Sequence, residues 1–415
     1  IMKTVKGRES MNMESLVNKE GLKIVGSLIK LNRLNQKMSQ AALCEGICVS
    51  SYLSKIENGE VMPSLEMIEL LFEQLAIEYV ASPDFIKVMT DRFEEFFEEL
   101  NFNGFVQSKE IFKHLEQEEL KLIHSPLILD YYLVKLAHYC ATDERECLEE
   151  AYRLLTSVKP LLNKTQRFRY YLYQGIDLLY YHQDYELAKQ FFELAKQELE
   201  TGRLYEMLAN VSYKQGQFYQ AFQFVSEAKR RYVLEGNLVS LSGIYEFEAM
   251  LAYKTGSFKQ AIELCERSGA YAHKMNRFDL TLTPLLCKAF IHYTRQESLK
   301  VSESLEEIAN IQQHFQATWP VLILIECFEA KTVKDFENIE KRCHEEMRAA
   351  ILLIGFCVTG GVFKKDELSS LIQKYQTTHR RFLLIDEWIF YLLKEYYTSK
   401  RQYKEVVGLL KRQQL

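Results

Sequence analysis

Apolar residues recur every three or four positions through almost the whole chain, the period of helices with one buried face. Leu22, Val25, Leu28, Ile29 and Leu31 mark the first such helix, with Lys30 and Arg33 on its other side. Ser39 then offers a hydroxyl as N-cap for a short helix from Gln40 to about Glu45, and Gly46 suits the turn after it. A third helix over about Ser50–Glu57 buries Leu53 and Ile56, Asn58-Gly59 stops it, and Pro63-Ser64 opens another carrying Leu65, Ile68, Leu71, Phe72 and Leu75. The pattern predicts a small bundle of five short helices across 21–80, after an extension at 1–20. A linker helix over 81–100 follows, its apolar stripe Phe85, Val88, Met89, Phe93, Phe96, Phe97 and Leu100 opposed by Asp91, Glu94, Glu95, Glu98 and Glu99.

From 101 to 415 the helical pattern becomes repetitive. Asp184-Tyr185, Gly216-Gln217-Phe218 and Gly256-Ser257-Phe258 each open a run of one kind: a tight turn, an aromatic, a small residue (Ala188, Ala221, Ala261), then a larger apolar one (Phe192, Val225, Cys265). Measured between Gln183, Gly216 and Gly256 the spacings are 33 and 40, which predicts longer helices or a longer loop in the later copy. Fainter copies begin at Asp143-Glu144, Lys334-Asp335-Phe336 and Arg401-Gln402-Tyr403. Repetition of this kind is tetratricopeptide-like. The expected fold is all-α: the five-helix amino-terminal domain, then a right-handed α-α superhelix of about eight or nine such pairs with a concave groove lined by the first helix of each.

Composition agrees and narrows the function classes. Of 415 residues, 47% are apolar and only 6 are Pro and 17 Gly, which suits helices with short connections and argues against disorder. The net charge of -5 excludes a basic nucleic-acid coat, yet residues 1–56 carry nine cations against four acids, a local excess suited to a phosphate-facing surface. Ile351 to Phe363, the longest apolar run, is too short to span a bilayer and is interrupted by glycines, and no secretory signal precedes the first helix, so a cytoplasmic protein is expected. The nine cysteines form no Cys-x-x-Cys pair and read as reduced core thiols; neither they nor the histidines have metal-ligand spacing, so no metal or cofactor is expected. Phosphate-binding Gly-Lys-Ser/Thr loops, His-Glu-x-x-His and Gly-x-Ser-x-Gly are all missing, and Cys343-His344 reads as surface, so no enzyme is expected.

Two short helices joined by a glycine-bearing turn have the layout of a helix-turn-helix, whose second helix enters the major groove. Ser50, Ser51, Tyr52 and Lys55 on that helix are the candidates for base edges and phosphates, with Lys30, Arg33, Lys37, Gln40 and Asn58 around them. Val49 precedes this helix and has no side-chain acceptor, so the helix starts less firmly or is capped by Ser50. Along the array, the polar and aromatic residues expected to face the groove are Tyr173, Asp177, Tyr180 and Tyr181; Arg203, Glu206, Asn210, Tyr213 and Lys214; and Glu246, Met250, Tyr253 and Lys254. Such side chains hold an extended peptide by bonding its backbone and flanking its side chains. Asn210 is singled out because an amide between Leu208 and Val211 has little structural reason to be on a packed helix.

Ser39-Gln40, Leu43, Leu53 to Gly59 and Pro63-Ser64 match the signature of phage-repressor-like (XRE) helix-turn-helix regulators. By that resemblance Gln40 begins the positioning helix, and Ser50, Ser51 and Lys55 fall on the reading face. An XRE-type head followed by tetratricopeptide repeats resembles the peptide-sensing RRNPP regulators of Gram-positive bacteria, PlcR-like and NprR-like. The resemblance implies a homodimer on a palindromic double-stranded DNA operator, a short signalling peptide (quorum sensing) in the array, and in some members a phosphorelay protein as a further partner. The alternative is an adaptor whose array captures a protein such as a response regulator, with the helix-turn-helix as a localising module.

Overall fold

The computed structural model describes Leu16 and residues 21–101, 105–312, 326–343, 345–362, 368–376 and 383–412. The expected extension at 1–20 and His344 lie outside these residues, Leu16 apart. Among the described residues every regular element is helical. The chain divides into two compact units, one of Ile1–Asp177 with Gln190–Glu200, the other of Leu178–Lys189 with Thr201–Leu415.

The first unit begins with four helices, α1 (Gly21–Asn35), α2 (Gln40–Cys44), α3 (Ser50–Glu57) and α4 (Leu65–Gln74). The expected fifth helix of this domain is not formed: residues 77–82 carry no helix, and the Val80 amide donates instead to the His124 carbonyl at 3.0 Å. Ser39 and Ser64 cap α2 and α4 by accepting from the Ala42 and Met67 amides, as their positions before apolar runs predict. Gly26 lets α1 and α3 touch, since a β-carbon there would lie 2.6 Å from the Ile56 carbonyl oxygen. Next come α5 (Pro83–Asn101), α6 (Phe105–Gln117), α7 (Glu119–Ile123), α8 (Ile128–Thr142), α9 (Arg145–Ser157) and α10 (Lys164–Asp177). The second half of the α5 stripe, Phe93, Phe96, Phe97 and Leu100, is buried within this unit, whereas Phe85 and Met89 are half-buried and Val88 is exposed. Phe93 and Phe96 are almost fully enclosed, and the Phe97 ring lies 6.2 Å from that of Tyr173 with the Arg169 guanidinium 3.9 Å above it.

The head of four helices is bonded directly to the first repeat helices. Asn32 donates to the Ile123 carbonyl at 2.9 Å, Asn35 to the Tyr132 hydroxyl at 2.5 Å, and the Glu78 amide reaches His124 Nδ1 at 3.3 Å. Buried polar groups satisfied across a contact fix its register, so head and first repeat share one body.

After α10 comes α11 (Tyr185–Glu198), and in the second unit the repeat template is visible in α12 (Gly202–Lys214), α13 (Phe218–Leu234), α14 (Leu238–Lys254), α15 (Phe258–Lys274), α16 (Leu282–Thr294) and α17 (Ser298–Gln312). Ala221 and Ala261 are fully enclosed where paired helices meet, with Val225 and Cys265 one turn on. Gly216 (φ 72°), Gly256 (φ 79°) and Gln183 (φ 54°) all take the left-handed conformation that ends one helix and turns into the next, the common geometry behind the shared motif. The longer spacing comes from longer helices: α13 and α14 have 17 residues each, where α12 has 13. Farther along are α18 (Val333–Arg342), α19 (Glu345–Val358), α20 (Leu368–Gln376), α21 (Leu383–Ser399) and α22 (Tyr403–Arg412). The run from Ile351 is the buried helix α19, and α21 sets Trp388 in the same core, stacked on Phe328 with ring centroids 4.0 Å apart.

Candidate nucleic-acid interface and ligand site

In the head, α2 and α3 are held at a fixed angle by one carboxylate. Glu57, fully enclosed at the end of α3, receives Arg33 from α1 at 2.6 and 2.9 Å and Gln40 from α2 at 2.8 Å, while Arg33 also donates to the Met38 carbonyl at 2.8 Å. This corrects the expectation for Arg33. Its guanidinium is buried and committed to Glu57, so it is a brace of the motif rather than a free phosphate contact. Gln40 is half-buried and tied to the same carboxylate.

What remains outward is a compact polar face. Ser51, Lys55 and Asn58 are exposed along one side of α3, Ser50 and Tyr52 are half-buried, and Lys37 is exposed in the turn after α1. Lys30 donates to Asn58 Oδ1 at 3.1 Å, and burial lowers its pKa below the ordinary lysine value, with Glu57 opposing. Val49 is the N-cap of α3 and supplies no side-chain bond, nor does Ser50 take over that role. The first turn of α3 therefore carries amide hydrogens without a side-chain acceptor, an arrangement suited to an anion.

The repeat candidates fall into several environments. In the first unit, Asp177 is buried and paired with Arg145 at 2.6 Å, and Tyr173 is buried with its carbonyl accepting from the Tyr152 hydroxyl. In the second unit, Tyr180 and Tyr181 lie half-buried on a π-helical turn, Leu178–His182, the Tyr180 hydroxyl 4.0 Å from Met207 Sδ. Arg203 pairs with Glu206 at 3.0 Å, and Glu206 also accepts from the Tyr232 hydroxyl. Asn210 donates to the Glu206 carbonyl one turn back at 3.0 Å, and among the described residues its own Oδ1 has no protein partner. Met250 departs from expectation, being 2% exposed and part of the core, because α14 is packed on both faces. The Tyr253 ring packs tilted against Phe290 with centroids 5.0 Å apart, and burial pushes its hydroxyl up to about 12. Burial likewise pushes the Glu246 carboxyl up to about 8, although Ser268 donates to it and the residue as a whole is only half-buried.

Three candidates converge on a pair of acids that was not among the expected site residues. Lys254 reaches both oxygens of Glu387 at 2.6 and 2.8 Å, Lys214 reaches Asp386 at 2.8 Å, and the Tyr213 hydroxyl donates to Glu387 at 2.6 Å. Tyr375 completes the cluster by donating to Asp386, and both acids are 6% exposed. Two lysines expected to await a ligand are thus already neutralised by adjacent carboxylates of α21. A signal was present: Asp386-Glu387 interrupts the apolar stretch Leu383 to Phe390, an acidic pair with little reason to be there unless cations meet it. One turn along α21 a cavity of about 990 Å³ opens, lined by Tyr293, Phe328, Tyr391 and Tyr396 with Glu297 and Glu395 at its edge. No sequence-predicted candidate lies in it. Among the described residues no group of three or more His, Cys, Asp or Glu could hold a metal ion, and no helix is long and apolar enough to cross a membrane.

Residues 29–80 match the helix-turn-helix family HTH_3, which covers α2 and α3 with the brace at Arg33 and Glu57. No curated protein matches the chain. The fold is similar to that of a Rap protein solved with Competence and Sporulation Factor (13% identity, TM-score 0.57, covering 79% of this chain and 96% of that one). It is also similar to the apo form of RapI (16% identity, TM-score 0.51, 78% and 96%). A structure of NprR with its cognate peptide NprX aligns less closely (16% identity, TM-score 0.46, 79% and 99%). The family match supports the helix-turn-helix head expected from the motifs, and the structural likenesses support the helical repeat fold.

Proposed function

We propose that the chain is a DNA-binding transcriptional regulator of the peptide-sensing RRNPP type, acting in the cytoplasm as a homodimer on a palindromic operator. The observation that carries this reading is the exposed face Ser51, Lys55 and Asn58 on α3, held by Arg33, Gln40 and Glu57 within the stretch that matches the helix-turn-helix family. Those residue types suit base edges and phosphates, and a helix braced at its far end presents them in one orientation. One monomer offers few cations, so two heads about 34 Å apart on successive major grooves are needed for tight binding.

The ligand is a short signalling peptide held by the repeats, with Asn210 and the polar face around Arg203 and Glu206 as contacts. A peptide alters operator binding only if it favours one arrangement of the array over another. Selection of bound genomic DNA by the purified protein, with and without peptides from spent culture medium of the source organism, tests both parts. A two-fold-symmetric site whose occupancy changes with the peptides is expected. A site indifferent to peptides shifts the reading to an adaptor for a protein partner, and no selected site at all refutes the DNA-binding role.

A further inference from the structure

The turn between α2 and α3 holds a chemical feature that neither DNA reading nor packing requires. Cys44 is the last residue of α2, Cys48 lies two residues before α3, and their sulfurs are 3.3 Å apart. The Cys48 amide donates to the Cys44 carbonyl at 3.1 Å, closing a single α-turn. Such a turn sets its end Cα atoms about 6 Å apart, inside the span of a disulfide. Bonding the sulfurs therefore needs them to approach by a little over ~1 Å, within reach of side-chain rotation. Cys48 is half-buried and open to a small oxidant, while Cys44 is 5% exposed behind it. The other close thiol pair, Cys265 with Cys287, is buried on both sides in the core and has no such access.

We propose that Cys44 and Cys48 are a reversible disulfide-forming pair that takes hydrogen peroxide as oxidant and resets the start of the reading helix. The consequence for DNA rests on the function proposed above; the chemistry does not. The Cys48 thiolate attacks one peroxide oxygen, the O–O bond breaks, and the departing hydroxide takes up the proton Cys48 had released, leaving a sulfenic acid and water. The Cys44 sulfur then attacks Cys48 Sγ, the S–O bond breaks, and the hydroxyl leaves as a second water with the Cys44 proton. Two electrons pass from the sulfurs to the peroxide oxygens, and a small dithiol reverses the change by exchange. Cys48 is the sulfur an oxidant can reach and so attacks first, and Cys44, enclosed behind it with burial and the neighbouring Cys48 pushing its thiol up to about 11, is the resolving one.

The coupling to α3 is direct. Only Val49 separates Cys48 from Ser50, the first residue of α3, and Val49 provides no capping side chain. Drawing Cys48 toward Cys44 pulls through Val49 on a first turn held at its start by the Tyr52 and Leu53 amides donating to the Val49 carbonyl at 2.9 and 3.1 Å, with no side-chain cap beside them. The expected result is a frayed start to α3 and displacement of Ser50 and Ser51 from the reading face.

The test treats the purified full-length protein with hydrogen peroxide and examines the tryptic peptide 38–55, which holds both cysteines. The expected peptide is about 2 Da lighter and restored by dithiothreitol; Cys48→Ser and Cys44→Ser proteins show no such loss, and Cys44→Ser instead strands the sulfenic acid on Cys48. Amide exchange over 50–53 should rise on oxidation, and binding to a selected genomic fragment should weaken about tenfold and recover on reduction. Persistence of two free thiols, or a stable sulfenic acid on Cys48 without the mass loss, overturns the proposal. Mass loss with unchanged exchange over 50–53 overturns the effect on the helix. If the reduced protein selects no DNA while the mass and exchange changes occur, the DNA-binding reading fails and the redox pair stands.

Discussion

Lys254→Met isolates the worth of the charge cluster on α21. The substitution keeps the apolar stem and removes the ammonium that contacts both Glu387 oxygens at 2.6 and 2.8 Å, leaving the carboxylate with the Tyr213 hydroxyl at 2.6 Å. Stranding one member of a buried pair costs about 3–5 kcal/mol, because the remaining charge keeps its desolvation penalty and loses its attraction. The Glu387 side chain is 8% exposed and that of Lys254 18%, so water relaxes part of the loss and a value of about 3 kcal/mol is expected. The assay is amide hydrogen exchange of peptides from 383–399, where that loss raises opening-limited exchange roughly 150-fold. The double variant Lys254→Met with Glu387→Leu removes both charges and should return exchange to within about 1 kcal/mol of the parent, as apolar replacements of buried ion pairs do. An increase below about fivefold in the single variant refutes the reasoning, since the pair would then be no more than a solvated surface contact.

Other outcomes follow from the same geometry. Arg33→Ala should destabilise the head by about 3 kcal/mol, read by thermal melting, because it leaves Glu57 enclosed without a cation, whereas Lys55→Ala or Ser51→Ala should leave melting unchanged and weaken operator binding. Gly26→Ala should also destabilise the head, by about 1–3 kcal/mol, because its β-carbon meets the Ile56 carbonyl at 2.6 Å. The raised Glu246 carboxyl makes stability fall as pH climbs from its unfolded value of 4.5 toward about 8, since the folded chain holds a proton the unfolded chain releases. Glu246→Gln should therefore melt like the parent near pH 5 and higher at pH 8, by no more than about 2 kcal/mol given the residue's partial exposure. Asn210→Ala should spare DNA binding and blunt the peptide response; a normal response would remove Asn210 from the site.

The readable features were local ones. Ser39 and Ser64 are caps because a hydroxyl just before an apolar run can reach an amide three residues ahead, a relation contained in one turn of chain. The repeats were readable through Ala188, Ala221 and Ala261, since a small residue beside a large one at a constant offset is what a helix contact needs, and all three are fully enclosed. Met250 shows where periodicity stops: once α14 is covered on both sides, its polar and apolar positions no longer mark an outside and an inside.

By itself, then, the sequence determined an all-helical fold, the turn chemistry of its repeats and the position of its helix-turn-helix, because each depends on residues within one or two turns of each other. The tertiary structure decided which charges are free. Arg33 meets Glu57 across 24 positions, Lys254 meets Glu387 across 133, and Lys214 meets Asp386 across 172. A cation's role depends on the carboxylate that folding sets within about 4 Å of it, and no local pattern contains that distance.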